Sequence, residues 1–249
     1  MADSSTGLIS AIAATFFLAG LVKGVTGMGL PTVAMGILGA FMPPVAAASL
    51  LIVPSFVTNV WQLLAGPSFL PLVRRLKFMM AGIAVGTISG ASFIASGDMT
   101  VTTAALGGAL MVYALHSLLA QQLYVPAAVE RWLSPFIGVT TGAISGSTGV
   151  FVIPAVPYLQ GLGLKKDDLV QALGLSFTVS TIALAIGLGW QGALHVSDLG
   201  TSALAIAPAL VGMWAGQLIR QKVSPAVFRR WFLLCLVVLG AELLARGLI

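Results

Sequence analysis

The chain has 249 residues, of which 58% are apolar and 8% charged, and its mean hydropathy is +1.05. A soluble domain carries charge on about a quarter of its residues to keep its surface in water, so this composition excludes one, and most of the surface faces lipid. One cysteine, Cys235, rules out an intramolecular disulfide or a thiolate cluster, and two histidines, His116 and His195, do not make a zinc site alone. No metal or cofactor is expected.

Residues 1–6 carry an acid and no base, and no small-residue cleavage pattern follows the first apolar run, so a secretory signal is not expected. At about 20 residues per membrane helix the chain has room for roughly eight to ten spans. Apolar stretches divided by polar or Pro/Gly punctuation fall at Leu8–Val22, Leu30–Phe41, Ala46–Leu64, Phe78–Ala95 and Val101–Leu119, then at Pro135–Ala143, Val150–Leu162, Leu169–Trp190, Leu199–Ile219 and Val227–Leu244. The pattern predicts an all-α polytopic membrane protein of two repeats with five segments each. Residues 1–120 form the first repeat, 121–133 a cytoplasmic connector and 134–249 the second.

Ten of the twelve Lys and Arg residues gather at one set of ends: Arg74, Arg75 and Lys77, then Arg131, then Lys165 and Lys166, then Arg220, Lys222, Arg229 and Arg230. Loops on the other side, around 41–44, 97–99 and 191–198, have none. The positive-inside rule makes the basic side cytoplasmic and puts both termini outside. Topology thereby accounts for the net charge of +5, and no nucleic-acid partner is expected, because no basic stripe joins an aromatic platform. Trp132, Trp190 and Trp231 stand at segment ends as interfacial anchors.

The two halves share a motif. Gly20, Gly24, Gly27 and Gly29 with Pro31 are echoed by Gly138, Gly142, Gly146 and Gly149 with Pro154. An odd number of segments per half inverts the second against the first, a construction usual in transporters. Gly82, Gly86 and Gly90 in the fourth segment and Gly212 and Gly216 in the ninth are read as close-packing positions. The clusters at 24–29 and 142–149 differ: each divides an apolar stretch into pieces of ~20 Å, short of a ~30 Å hydrocarbon core. Broken, short Gly-rich helices are expected there, as re-entrant hairpins or as short tilted spans. Non-helical backbone at depth needs a polar cavity or a ligand, and the pieces beginning near Leu30 and Val150 would present helix N-termini to an anion.

Polar side chains inside the membrane are costly and so informative. Ser55, Thr58, Asn59 and Gln62 lie on one face of the third segment, and Gln171, Thr178 and Thr181 share one side of the eighth, with Ser176 and Ser180 on an adjoining one. Lys23 lies inside the first glycine motif, where it either attracts an anion or snorkels to the interface. No carboxylate is expected at mid-membrane: all seven acids fall in loops, tails or helix ends. A carboxylate-based proton or sodium site is therefore unsupported, and export, which an inside-negative potential favours for an anion by about 2.3 kcal/mol per charge per 100 mV, needs no coupled ion.

At these residues the sequence resembles the sulfite exporter TauE/SafE family of bacterial anion permeases. The likeness rests on the motifs at Gly20–Pro31 and Gly138–Pro154, each followed by a small-residue segment with Ser49–Leu50 in one half and Ala172–Phe177 in the other. Met28, Ser147 and Thr148 interrupt the more continuous glycine triplet common in the family. The resemblance implies an inner-membrane exporter for sulfite, sulfoacetate or another small sulfur oxyanion or organosulfonate, for which the charge bias above makes the termini periplasmic. The expected site lies between the glycine breaks. Thr26, Gly27, Met28 and Gly29 face Ser145, Gly146, Ser147, Thr148 and Gly149 as backbone N–H and hydroxyl donors. Asn59 and Gln62 supply amides, Ser176 and Ser180 hydroxyls, and Lys23 a charge. Its partners are a small anion and the lipid bilayer, with homo-oligomerisation left open. A proton-coupled uptake permease for sulfonates or carboxylates is the rival reading within transport. An intramembrane enzyme lacks an acid–base constellation, and a structural subunit would tolerate loss of Asn59.

Overall fold

A computed structural model describes residues 2–119, 124–220, 222 and 224–248. All regular elements among them are helices: α1 (Ala2–Thr26), α2 (Leu30–Gly39), α3 (Pro44–Leu64), α4 (Phe69–Ser96), α5 (Met99–Leu119), α6 (Ala127–Thr148), α7 (Ala155–Gly161), α8 (Lys166–Trp190), α9 (Val196–Leu204), α10 (Ile206–Arg220) and α11 (Pro225–Arg246). Six stretches among the described residues are long and apolar enough to cross a membrane, in α1, α3, α4, α5, α8 and the run from α9 through α10. The chain is an all-α, multi-pass membrane protein. Met1 and residues 121–123 of the expected connector lie outside the described residues; of the remainder, 127–133 already belong to α6.

Helices α3 and α8 form the centre, with 56% and 67% of their apolar windows buried against 33–44% for the other spans. Around them α1 lies on α10, α4 on α6, and α5 on α11. Exchanging the two halves carries the α1–α10 pair onto α6–α4 and leaves the α3–α8 and α5–α11 pairs matched to themselves. This pairing is consistent with an inverted repeat.

The two equivalent outer pairs are held by glycine. A Cβ on Gly142 of α6 would stand 2.4 Å from the Ile83 carbonyl oxygen of α4, and one on Gly212 of α10 would stand 2.0 Å from the Phe17 carbonyl oxygen of α1. Gly82, Gly86, Gly90 and Gly216 meet opposing backbone in the same way. Without a hydrophobic drive between helices in lipid, this backbone-to-backbone approach supplies the packing.

Four segments depart from the sequence expectation. The first piece of each broken pair is long, not short: α1 has 25 residues and α6 has 22. Helix continues through the Gly-x3-Gly runs because tertiary contact outweighs glycine's propensity cost of about 1 kcal/mol. Only the second pieces are short, α2 with ten residues and α7 with seven. No helix begins at Val150; residues 150–154 are irregular, since Pro154 turns its predecessor away from helical geometry and the run before it is β-branched or aromatic. The ninth segment divides at Ala205, because Pro208 has no N–H for the Leu204 carbonyl.

Pro54 inside α3 has the same effect on the Leu50 carbonyl, and here a neighbour repairs it. The Ser202 hydroxyl of α9 donates to Leu50 O at 2.6 Å and accepts from Val53 N at 3.1 Å.

The packing generates a test. Gly142→Ala is expected to lower thermal stability in detergent, in line with the roughly 1–3 kcal/mol cost of overpacking. Gly189→Ala in α8, with nothing within 4 Å of the added Cβ, is expected to leave it unchanged or raise it; melting curves of the two variants check this.

Candidate functional site

The polar stripe of α3 is buried as a unit: Ser55, Thr58 and Asn59 are 0% exposed and Gln62 is 7% exposed. Its face looks toward α1 and α8. Lys23 of α1, 3% exposed, donates from Nζ to Thr58 Oγ1 at 3.2 Å and to Asn59 Oδ1. The Asn59 amide then donates to Thr181 Oγ1 of α8 at 3.4 Å. Three helices from both halves thus meet at one ammonium group. Lys23 does not snorkel.

No carboxylate lies within ion-pair distance of Lys23 among the described residues, where Arg75–Glu130 and Arg246–Glu242 are the ion pairs. Burying a charge costs several kcal/mol, and neutral dipoles return only part of that. A bound anion would supply the counter-charge that the ammonium form of Lys23 lacks.

Among the described residues, hydroxyls without protein partners lie on the same helices. Thr58, Thr178 and Thr181 donate to the carbonyl one turn back, at 2.7–2.8 Å. Ser55, one turn from Asn59, and Ser176 and Ser180 of α8 do not; all three are 0% exposed and their Oγ atoms are unpartnered. Thr141 of α6 and Thr87 of α4 are in the same condition. Such donors suit oxyanion oxygens, since an unsatisfied buried polar group costs about 1–3 kcal/mol.

The first glycine break supports this centre. Gly27 and Gly29 take φ of 79° and 101°, left-handed values that favour glycine. Gln62 Nε2 donates to Gly27 O at 2.9 Å and to Val170 O at 2.8 Å, tying α1, α3 and α8 together, while its Oε1 is unpartnered. The Thr26 hydroxyl lies 2.8 Å from both Val22 O and Met28 O, and Met28 Sδ accepts from the Tyr113 hydroxyl at 3.7 Å. Gly29 caps α2 without a side-chain bond, and Thr32 Oγ1 in the first turn is buried and unpartnered. Gln171 closes the neighbouring turn, donating to Leu63 O and Gly66 O and accepting from Ser68 N.

The second break is used differently. The Ser145 hydroxyl donates to Val150 O at 3.4 Å and Ser147 to Gly90 O at 3.4 Å, while Thr148 donates to Ile144 O at 2.7 Å. Gly146 packs on the Thr87 backbone. Gly149, with φ of 71°, lies under Met35 of α2, whose sulfur would be 2.8 Å from an added Cβ. With α7 only seven residues long, this break offers no helix N-terminus comparable to that of α2.

The structure thus joins Lys23 and Asn59 with Gln62 close by, and it occupies the hydroxyls of Ser145, Ser147 and Thr148 in local bonds. Sequence reasoning passed over Thr141, a buried and unpartnered hydroxyl of α6. Its signal was available: Gly20-x-x-Lys23-Gly24 aligns with Gly138-x-x-Thr141-Gly142, so Thr141 holds the position of Lys23 in the other half.

Comparison with known proteins agrees with this architecture. The family profile described as Sulfite exporter TauE/SafE matches residues 12–243. The chain belongs to that family. A protein of Cupriavidus necator named "Probable sulfite/organosulfonate exporter TauE" is 27% identical over 228 residues, covering 88% of this chain and 87% of its own. No solved structure matches the chain at a significant level. The family match runs through both glycine breaks and the α3 and α8 stripes, so the buried ammonium lies within the part of the chain that the family defines.

A stability test follows from the unpaired charge. Replacing a buried ion pair by packed apolar groups is often neutral or stabilising by about 1–4 kcal/mol, and a lone buried ion carries its desolvation cost of several kcal/mol with no ionic partner to offset it. Lys23→Met is therefore expected to melt no lower than the parent in detergent, whereas Asn59→Leu, which leaves the ammonium with Thr58 alone, is expected to melt lower.

Proposed function

We propose that the chain exports a small, singly charged sulfur oxyanion or organosulfonate across the bacterial inner membrane, with both termini periplasmic. The two repeats, 1–120 and 134–249, rock about the α3–α8 centre to expose the Lys23 site to one side and then the other. The single supporting observation is the lone amino group of Lys23, held among the described residues by Thr58 and Asn59. The family description and the name of the relative from Cupriavidus necator supply the solute class.

Among the described residues, Lys23 is the one charged type of side chain that is buried. One positive charge balances one negative charge, so hydrogen sulfite or an alkylsulfonate fits, and a dianion brings a second charge into the core uncompensated. Ser55, Ser176 and Ser180 supply hydroxyl donors to the oxygens. In this reading each turnover moves net negative charge outward, and a potential of about 100 mV contributes about 2.3 kcal/mol per charge. No carboxylate relay is needed, which favours export over proton-coupled uptake.

Flux in proteoliposomes under an imposed potential tests the proposal. Sulfite and methanesulfonate are expected to move at rates that rise with voltage, and methanesulfonate about tenfold faster than doubly charged sulfoacetate, a modest share of the several kcal/mol that burying an unpaired charge costs. Lys23→Met is expected to abolish flux of all three while inserting and melting normally. Equal rates for both charge types would overturn the valence claim alone; no movement of any anion would overturn the transport claim.

A further inference from the structure

We propose that the cytoplasmic end of the α4–α6 pair binds the phosphate headgroup of an anionic phospholipid. A cavity of about 390 Å³ opens between these helices, bordered by Arg74, Arg75, Lys77, Glu130, Arg131 and Ser134. Its one carboxylate is already engaged: Glu130 accepts from Arg75 Nε at 2.7 Å and from Arg75 Nη2 at 2.8 Å. Ser134 is paired with the Tyr158 hydroxyl at 2.6 Å. Arg74, Lys77 and Arg131 have no ion-pair partner among the described residues. Three uncompensated cations therefore border a cavity braced by a bidentate salt bridge.

What lies beside the cavity identifies the source of the phosphate. The same two helices expose Phe78 at 50% and Val85 at 62%, one heptad apart on α4, and Trp132 at 80%, Phe136 at 67% and Val139 at 46%, at helical spacing on α6. Cations at one end and a continuous apolar strip along the helices match an amphiphile, with phosphate oxygens on the arginines and acyl chains along the strip. The Lys77 ammonium, 5.0 Å from the centre of the Phe78 ring, stands at the boundary between the two zones. Inorganic phosphate would engage only the charged end.

Fold symmetry does not demand this cluster. Exchange of the halves carries α4–α6 onto α10–α1, and the sequence leading into that pair, residues 191–198, has no Lys or Arg. The positive-inside bias explains bases on this side of the membrane, but not a cavity between two helices with its carboxylate consumed by one of four cations.

Native mass spectrometry of the purified full chain, titrated with phosphatidylglycerol, phosphatidylcholine or inorganic phosphate, tests the site. One phosphatidylglycerol is expected to stay bound where phosphatidylcholine does not. Each cation removed is expected to weaken it about fivefold: Arg131→Gln alone by that factor, and the combined Arg74→Gln, Lys77→Gln, Arg131→Gln variant about a hundredfold. A control with the same charge removed elsewhere on the basic side, Arg220→Gln, Arg229→Gln, Arg230→Gln, is expected to bind within about twofold of the parent. Equal loss in both triple variants would reduce the effect to general surface charge and overturn the proposal. Equal retention of phosphatidylcholine, or displacement of the lipid by equimolar inorganic phosphate, would overturn it as well. If the triple variant unfolds, the single Arg131→Gln variant decides.

Discussion

An ammonium group taken out of water without a carboxylate beside it is among the most expensive placements a membrane protein can make. Here the whole centre is organised around one. Lys23 is buried on α1, and what reaches it is a hydroxyl and a carboxamide from α3, the latter bonded on to Thr181 of α8. Those contacts link helices from both halves at the most buried part of the bundle. An uncharged residue at position 23 would leave Asn59 and Thr58 as ordinary interior dipoles, and the molecule would have no electrostatic reason to admit an anion.

Close helix approach is what makes that burial geometrically achievable. Gly20 and Gly24, three residues before and one after Lys23, press α1 onto the backbone of α10. This contact fixes the rotation of α1 and directs the residue between them toward α3. The glycine break that follows turns the chain back within three residues, and Gln62 holds the Gly27 carbonyl just past the end of α1, linking the turn to α8 through Val170. Packing and chemistry are thus coupled along one short segment: the small residues set the orientation, and the lysine between them uses it.

Much of this was legible in the sequence. Burial of Ser55, Thr58, Asn59 and Gln62 on one face followed from their spacing, and the short α2 followed from the glycine cluster and Pro31. The same signals misled for α1 and α6, because a glycine cluster inside an apolar stretch reads as a break along its whole length until a partner backbone lies against it, and that partner, α10 or α4, is distant in sequence. The split at Ala205 was marked by Pro208 but masked by an otherwise unbroken apolar run. Serine and threonine roles were least legible: Thr148 and Ser180 look alike as letters, yet one hydroxyl turns to its own helix and the other does not. That choice depends on which rotamer the neighbouring helix leaves free.

The two halves are paired in an equivalent way but differ in chemistry at their equivalent points. Where the first half places Lys23 between its packing glycines, the second places Thr141, fully buried and unpartnered. Ser55-Phe56 of α3 recurs as Ser176-Phe177 of α8, and Asn59 is matched by Ser180. A charge in both places would put two ammonium groups in one core with mutual repulsion and doubled desolvation. A hydroxyl in both places would leave an anion with dipoles alone. One lysine and one threonine at these matched positions keep the basic group on one half and leave the other neutral. In the proposed export cycle this lets the half that binds the charge and the half that solvates the remaining oxygens separate without either carrying an uncompensated pair of ions.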